Sequence, residues 1–354
     1  MKKNKAEILE RLLFSCADWI HGKGPFSDVV ISSRIRLARN LENIPFPARA
    51  NHLELQKISN LLNKGFQENI VFKRFNQLFL HQLSSIEMRF LMEKNIISSY
   101  YLNTDHAHRF CIFNPEETLS IMVNEEDHIR IQSFSSGLQL KKIWKKIDDV
   151  DNEIEKKVTY AFNEKQGYLT TCPTNVGTGM RASVMLYLPA LVMQNKIGDI
   201  LKALSKLGYA VRGFYGEGSK AMGNLFQVSN QITLGFSEDE IIESLIKLCS
   251  KMITQEKKAR KYLFNSDMEE IEDRTWRSYG ILKNARIISS VEAMELLSRL
   301  RFGVELGIMS EIKRSCLNQL MFLIQPAYLQ LLFGKKLNEN ERDFQRAAII
   351  REKI

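Results

Sequence analysis

Arginine placed inside strand-like runs is the feature that most restricts what this chain can become. Successive side chains of a strand face opposite ways, so alternation sorts each run into two faces. In Ser32-Ser33-Arg34-Ile35-Arg36-Leu37 both arginines share one face, and Ile35 and Leu37 share the other. In Asn124-Glu125-Glu126-Asp127-His128-Ile129-Arg130-Ile131-Gln132, the residues Glu126, His128 and Arg130 fall on one face, opposite Ile129 and Ile131. Arg181 falls opposite Ala182, Val184 and Leu186. Arg212 ends another β-rich run and enters Gly213-Phe214-Tyr215-Gly216-Glu217-Gly218. A single such arginine marks an ordinary solvated strand face. Five of them, in four segments each flanked by core-like residues, form a cationic floor if the segments share one sheet. The planar guanidinium fork suits phosphate, and phosphoryl transfer is mostly positioning plus electrostatics. The pattern leaves open a surface or nucleic-acid-binding face.

The formal net charge of +9 suits anionic partners. The 44% apolar and 26% charged shares are those of an ordinary globular protein. Five scattered cysteines, with no Cys-x-x-Cys pair, fit free thiols in a reducing cytosol. No apolar stretch follows the basic Met1-Lys2-Lys3-Asn4-Lys5, and Val184–Met193, broken by Pro189, is too short to span a bilayer. The expectation is a cytoplasmic protein that does not enter a membrane. There is no Gly-x-x-x-x-Gly-Lys-[Ser/Thr] run, and the His-Arg-Asp and Asp-Phe-Gly signatures are absent.

Periodicity predicts helices over 1–22, 52–70, 141–164 and 196–207, the last closed by Gly208. Strands are predicted from Val29 through Leu37, over 119–133 with an acidic stretch in the middle, over 181–188, and over Tyr209–Arg212 and Phe226–Leu234. Ser237-Glu238-Asp239-Glu240 reads as a capping box that opens a helix reaching about Leu263. From about 265 onward only helical periodicity remains. The expected fold is α+β: an antiparallel sheet flanked by helices over 1–260, followed by an all-helical region over 261–354.

Two further groups carry chemistry. Protonated guanidinium is a poor nucleophile. A carboxylate such as Glu126, facing the same way as Arg130, can orient it and take its proton, although Glu125-Glu126-Asp127 also reads as a solvated acidic turn. Cys172, before Pro173 and the flexible Gly177-Thr178-Gly179, is either a buried thiol or one whose acidity nearby cations raise.

These residues together closely resemble the phosphagen (guanidino) kinase superfamily. The resemblance is carried by Ser32-Ser33-Arg34-Ile35-Arg36, Asn124 through Arg130, Cys172-Pro173-Thr174-Asn175-Val176-Gly177-Thr178-Gly179-Met180-Arg181, and Arg212-Gly213 through Ser229-Asn230. Over almost its whole length the chain looks most like the bacterial protein arginine kinases. The resemblance implies transfer of the ATP γ-phosphoryl group to arginine side chains of proteins, with Mg²⁺ held mainly by phosphates and water and no metal-ligand cluster. It implies nucleotide contacts from Ser32, Ser33, Arg34, Ile35, Arg36, Asn95 and Arg130. Further contacts come from Arg181-Ala182-Ser183-Val184-Met185 and Arg212-Gly213-Phe214-Tyr215-Gly216-Glu217. Glu126 becomes the base, Glu217 a second substrate-side carboxylate and Cys172 the substrate-side thiol. Where relatives carry a nucleotide-contacting histidine after Glu-Lys, this chain has Asn95.

Small-molecule guanidino kinases carry a helical domain of roughly a hundred residues before the first arginine motif; here 31 residues precede Ser32. They also lack the helical extension after about 260. That extension ends in Arg342-Asp343-Phe344-Gln345-Arg346-Ala347, with Arg342 and Arg346 four apart on one helix face. It reads as an i,i+4 charge cluster, and by resemblance as an allosteric phosphoarginine pocket. The resemblance also implies a homodimer, a zinc-finger activating partner, a Clp-type protease that receives the marked proteins in the stress response, and no nucleic-acid partner.

Overall fold

The computed structural model describes residues 4–213 and 222–354. Its strands are β1 (Val30–Arg39), β2 (Asn76–Phe79), β3 (Phe110–Phe113), β4 (Leu119–Val123), β5 (Ile129–Ser136), β6 (Phe162–Asn163), β7 (Gly167–Tyr168), β8 (Met180–Tyr187), β9 (Tyr209–Arg212) and β10 (Leu225–Asn230). Its helices are α1 (Lys5–Phe14), α2 (His52–Glu68), α3 (Ser85–Glu93), α4 (Leu140–Glu155), α5 (Pro189–Met193), α6 (Ile197–Lys206), α7 (Glu238–Ser266), α8 (Met268–Asn284), α9 (Ser290–Glu305), α10 (Arg314–Leu323), α11 (Pro326–Leu332) and α12 (Glu339–Lys353). Eight strands form one antiparallel sheet in the order β2-β3-β4-β5-β1-β8-β10-β9, and β6 and β7 pair as a separate ribbon.

Capping boxes start the helices where the chain must turn sharply off the sheet. The Ser237 hydroxyl accepts from Glu240 N–H while the Glu240 carboxylate accepts from Ser237 N–H, and α7 runs on as the Ser-x-x-Glu pattern predicts. Asn51 with Glu54, Ser84 with Glu87 and Asn338 with Glu341 open α2, α3 and α12 in the same way.

One face of the sheet is apolar throughout. Ile35, Leu37, Ile131, Ala182, Val184 and Val228 pack there with Ile143 and Ile147 of α4 and Leu245 and Cys249 of α7, all essentially without solvent exposure. Each buried aliphatic side chain contributes about 1.5–3 kcal/mol. The opposite face changes character along the sheet. Under β2–β4 it is apolar, with Leu78, Cys111, Phe113 and Met122 covered by Ile8, Leu12, Met88 and Leu91 from α1 and α3. From β5 to β9 it carries the arginines, and the C-terminal helices rise over its edge.

Two expectations are corrected. The run 119–133 is a hairpin of two strands, with 124–128 as its turn, because Asn124 adopts φ 56° and its N–H bonds to His128 across the loop. The first helix stops at Phe14, and a short 3-10 turn, Asp18–His21, follows. Position 260 lies inside the continuous helix α7, where Arg260 is buried on Glu256 at 2.8 Å. The apolar core runs unbroken from the sheet into α9, α10 and α12.

Candidate active site

The strand registers gather the arginines. Arg36 on β1 stands directly opposite Arg181 on β8 and Gln132 on β5, and Arg34 opposite Ser183 and Phe134. Arg130 is in register with Ala38, and Arg212 on β9 with Gln227 on β10. Directly opposed residues point to the same side of a sheet, so Arg34, Arg36, Arg130, Arg181 and Arg212 share one face. Ser32, Ser183 and Met185 share that face and line the cleft above it.

Among the described residues, few anions compensate the charge of Arg34 and Arg36. Arg34 donates to the Gln132 side chain at 2.5 Å, and its guanidinium carbon lies 4.9 Å from the Phe134 ring centre. The Nε atoms of Arg34 and Arg36 are buried without a hydrogen-bond partner. Burial, with Arg130 and Arg181 nearby, lowers the Arg34 pKa to about 9. Burial and the neighbouring Arg34, Arg130 and Arg181 push Arg36 well below its usual range. Burial also disfavours the Arg130 cation, but Glu125 and Glu126 outweigh it and hold its pKa above the usual value. A cleft of about 590 Å³ lies over Arg34, Arg36 and Arg212, walled by Asn95 and Ser98 on one side and by Val291, Phe322 and Pro326 on the other. Orphaned donors under an apolar-walled cleft fit a polyphosphate carrying a planar base.

The turn between β4 and β5 holds the carboxylates. Glu125 is fully buried and accepts from Arg130, from the Ser98 hydroxyl and from Glu126 N–H. Glu126 is partly exposed, its carboxylate 3.8 Å from Arg130. Burial raises its pKa above the usual carboxylate value, Arg130 pulls it back, and Glu125 and Asp127 add to the rise. The turn is locked from behind. Asp127 accepts from the Asn40 side chain and from Thr171 N–H, each at 2.7 Å, and the Thr171 hydroxyl donates to the Glu126 carbonyl at 2.8 Å. The Thr171 bonds tie the residue before Cys172 to Asp127 and to the backbone of Glu126. The Cys172 thiol lies 3.0 Å from the Thr174 hydroxyl. Gly177 and Gly179, at φ 114° and 66°, let this loop pass Thr233 and Ala38, whose backbone oxygens lie 2.7 and 2.6 Å from where a Cβ would stand.

Not every residue singled out in the sequence reaches the cleft. Ser33, Ile35, Ala182 and Val184 alternate onto the opposite face and are buried; the Ser33 hydroxyl donates to the Gly137 carbonyl at 2.7 Å. His128 does not share a strand face with Glu126. It is buried in the turn, its Nδ1 accepting from Leu41 N–H at 3.0 Å and its Nε2 facing the Pro45 carbonyl at 3.0 Å. Asn95, at φ 58°, turns its carbonyl to the Gln132 side chain at 2.8 Å. Gly213 follows the end of β9. Phe214, Tyr215, Gly216 and Glu217 lie outside the described residues. On α12, Arg342 donates to the Leu337 carbonyl at 2.9 Å and remains partly exposed. Arg346 is buried, bonded to Asp343 and to the carbonyls of Ile288 and Ile324, so the two arginines do not form one exposed pair. Phe344 is exposed, Gln345 half-buried and Ala347 buried.

Sequence reasoning missed Glu125, Gln132 and Ser98, which hold the arginines and the turn in place. Gln132 was open to discovery, since it alternates onto the same face as Arg130. Ser98 had no sequence signal, because its contact spans 27 residues.

Residues 55–259 match the ATP:guanido phosphotransferase C-terminal catalytic domain, and residues 268–354 match the protein-arginine kinase McsB C-terminal domain. The chain belongs to the protein-arginine kinase family. A protein-arginine kinase of Geobacillus sp. (strain WCH70) is 49% identical over 340 residues, 96% of this chain and 94% of the relative. That of Bacillus subtilis (strain 168) is 47% identical over 340 residues, 96% and 93% of the two chains. Among solved structures, the duplicated taurocyamine kinase from Schistosoma mansoni with bound transition state analog components superposes with a TM-score of 0.60 at 27% identity. The match covers 67% of this chain and 34% of that one, so this chain spans about a third of that duplicated protein. Lombricine kinase gives a TM-score of 0.59 at 26% identity over 69% and 71% of the two chains. Family membership accounts for the eight-stranded antiparallel sheet and for the helices that follow it. Among the described residues, no group of three or more His, Cys, Asp or Glu side chains is placed to hold a metal, and no helix is long and apolar enough to cross a membrane.

Proposed function

We propose that this chain acts as a protein-arginine kinase, with Arg34, Arg36, Arg130, Arg181 and Arg212 gripping the ATP phosphates and Glu126 receiving the substrate's proton. The observation that supports this most directly is the pair of buried, partnerless Nε atoms on Arg34 and Arg36 under the cleft, on the sheet face that also carries Arg130, whose guanidinium lies 3.8 Å from the Glu126 carboxylate. One guanidinium nitrogen of the substrate arginine gives its proton to the Glu126 carboxylate. The electron pair so freed forms the N–P bond. The bond from Pγ to the β–γ bridging oxygen breaks, and ADP leaves with that pair. The arginines stabilise negative charge on the transferring group and on ADP. Cys172 and Glu217 act on the substrate arginine in this reading. Mg²⁺, held by phosphate oxygens and water, supplies further charge neutralisation when bound.

The finer reading extends to biology. The enzyme works in the cytoplasm as a homodimer, marks unfolded proteins for a Clp-type protease during stress, and answers to a zinc-finger activator. Its α12 motif, through Arg342 and Asp343, takes phosphoarginine as an allosteric signal. Incubation with ATP-Mg²⁺ and an unfolded arginine-containing protein is the test. Protein-bound phosphate lost in acid is expected, since a phosphoramidate is acid-labile. Acid-stable label, or transfer to free arginine alone, overturns the reading.

A further inference from the structure

Glu93 sits where the nucleotide cleft meets the C-terminal helices. It ends α3 and, with Asn95, lines the cleft. Its carboxylate accepts from Ala327 N–H at 2.8 and 3.1 Å and from Tyr328 N–H at 2.8 Å. Those donors open α11, where backbone N–H groups have no partner within their own helix. Burial raises the Glu93 carboxyl to about 7, against the pull of these two N–H groups and of Arg89 and Arg346. Lys94, next in sequence, is buried and bonded to Glu117 at 2.7 Å and to the Ser15 carbonyl at 2.9 Å, which fixes the segment from behind.

Hydrogen bonds run in both directions from this point. Toward the sheet, the Asn95 carbonyl accepts from Gln132, whose side-chain oxygen accepts from Arg34 at 2.5 Å. Toward the C-terminus, the Ile324 carbonyl, three residues before Ala327, accepts from Arg346 at 3.0 Å. The same guanidinium holds the Ile288 carbonyl at 2.9 Å, just ahead of Ser290 and Val291 in the cleft wall. Two walls built from different parts of the chain thus meet at one carboxylate. Misplacing a binding group by about 1 Å can cost as much as a hundredfold in rate, so the spacing of those walls matters to whatever fills the cleft.

We propose that Glu93 is a positioning residue for ATP: it fixes the Asn95 wall, and with it Arg34, against the C-terminal helices, and so links Arg346 to the phosphate clamp. This rests on the reading of the cleft as the ATP site.

ATP binding measured by calorimetry, without protein substrate, tests it. Glu93→Asp, too short to reach α11, and Glu93→Ala are expected to weaken ATP binding about tenfold. Glu93→Gln, whose amide oxygen accepts the same N–H groups, stays within about threefold of wild type. In turnover, KM for ATP rises while kcat at saturating ATP holds, a split that a loss of folded protein would not produce. Arg346→Lys weakens ATP binding in the wild-type background and adds nothing in the Glu93→Asp background. Additive losses would overturn the link to Arg346. A folded Glu93→Asp protein that binds ATP as wild type does overturns the positioning role, and decides the matter if the alanine variant fails to fold. An unaltered protein that binds no ATP overturns the reading of the cleft itself.

Discussion

Arg36 and Arg181 are direct partners across the β1–β8 ladder, two guanidinium groups on the same face of the sheet. Like charges in such a pairing work against the fold, and Arg34 and Arg130 on neighbouring positions add to the repulsion that Arg36 experiences. A polyanion that bridges these groups removes that repulsion, so the cost carried by the free protein returns as binding energy.

Arg36→Met is therefore expected to separate stability from function. ATP binding falls by more than tenfold, while the free protein unfolds at an equal or higher temperature, a gain of about 1 kcal/mol. In the wild type, ATP at a hundred times its Kd adds about 2.7 kcal/mol of stability, and in the variant this shift disappears. Thermal unfolding with and without ATP reads both effects. A variant that is destabilised, yet keeps its response to ATP, contradicts the account.

The adjacent carboxylates Glu125 and Glu126 are expected to fail in different ways. Glu125→Gln removes the buried negative charge beside Arg130 and sets an NH2 where one carboxylate oxygen accepted, and costs about 3–5 kcal/mol in urea unfolding. Glu126→Gln leaves stability within about 1 kcal/mol, keeps ATP binding, and lowers phosphoarginine formation by about 10²–10⁴. Because burial raises the Glu126 pKa, protonation removes the base as pH falls. The acid limb of the wild-type kcat profile then lies above the ordinary glutamate value. Equal stability losses for the two variants, or full turnover by Glu126→Gln, would undo the division of roles.

Alternation alone put Arg34 and Arg36 on the floor, because strand period is a local property and Ile35 and Leu37 between and after them are unambiguous core residues. The same rule misplaced Glu126 and His128. Nothing local says that the chain leaves the strand at Asn124; the reversal depends on a left-handed φ of 56° at Asn124 and on Asn40 and Thr171, 84 and 47 residues away in sequence. Helix starts were legible wherever a capping box stands, as at Ser237. What stayed hidden were side chains whose meaning comes from a distant partner, such as Glu93, whose two donors are 234 and 235 residues further on. The Arg342/Arg346 spacing was legible, but not that Arg346 would turn inward to the Ile288 and Ile324 carbonyls.

That inward turn predicts unequal effects on α12. Arg346→Ala removes a buried cation and strands Asp343 and two carbonyls, for an expected loss of about 3–5 kcal/mol. Arg342→Ala, at a partly exposed position with one backbone bond, stays within about 1 kcal/mol. If α12 reads phosphoarginine, Arg342→Ala abolishes the response of turnover to added free phosphoarginine while basal turnover persists. A retained response would remove Arg342 from that pocket.

His128 supplies a further dependence on pH. Burial drops its pKa from 6.5 to about 4, with the Pro45 carbonyl pulling weakly the other way. The unfolded chain takes up the proton near 6.5 and the folded one only near 4. The stabilisation is thus complete above the higher value and is lost progressively as pH falls between the two, about 3 kcal/mol in all at roughly 1.4 kcal/mol per unit. Glu126 and Asp127, whose pKa values burial raises, shift stability in the opposite sense, but they do so equally in a His128→Asn variant. The difference between wild type and that variant isolates the imidazole. Urea unfolding at pH 7.5 should show the variant clearly less stable, with the gap shrinking by about 3 kcal/mol on going to pH 4. A gap that does not change with pH means that His128 is not held neutral in the turn.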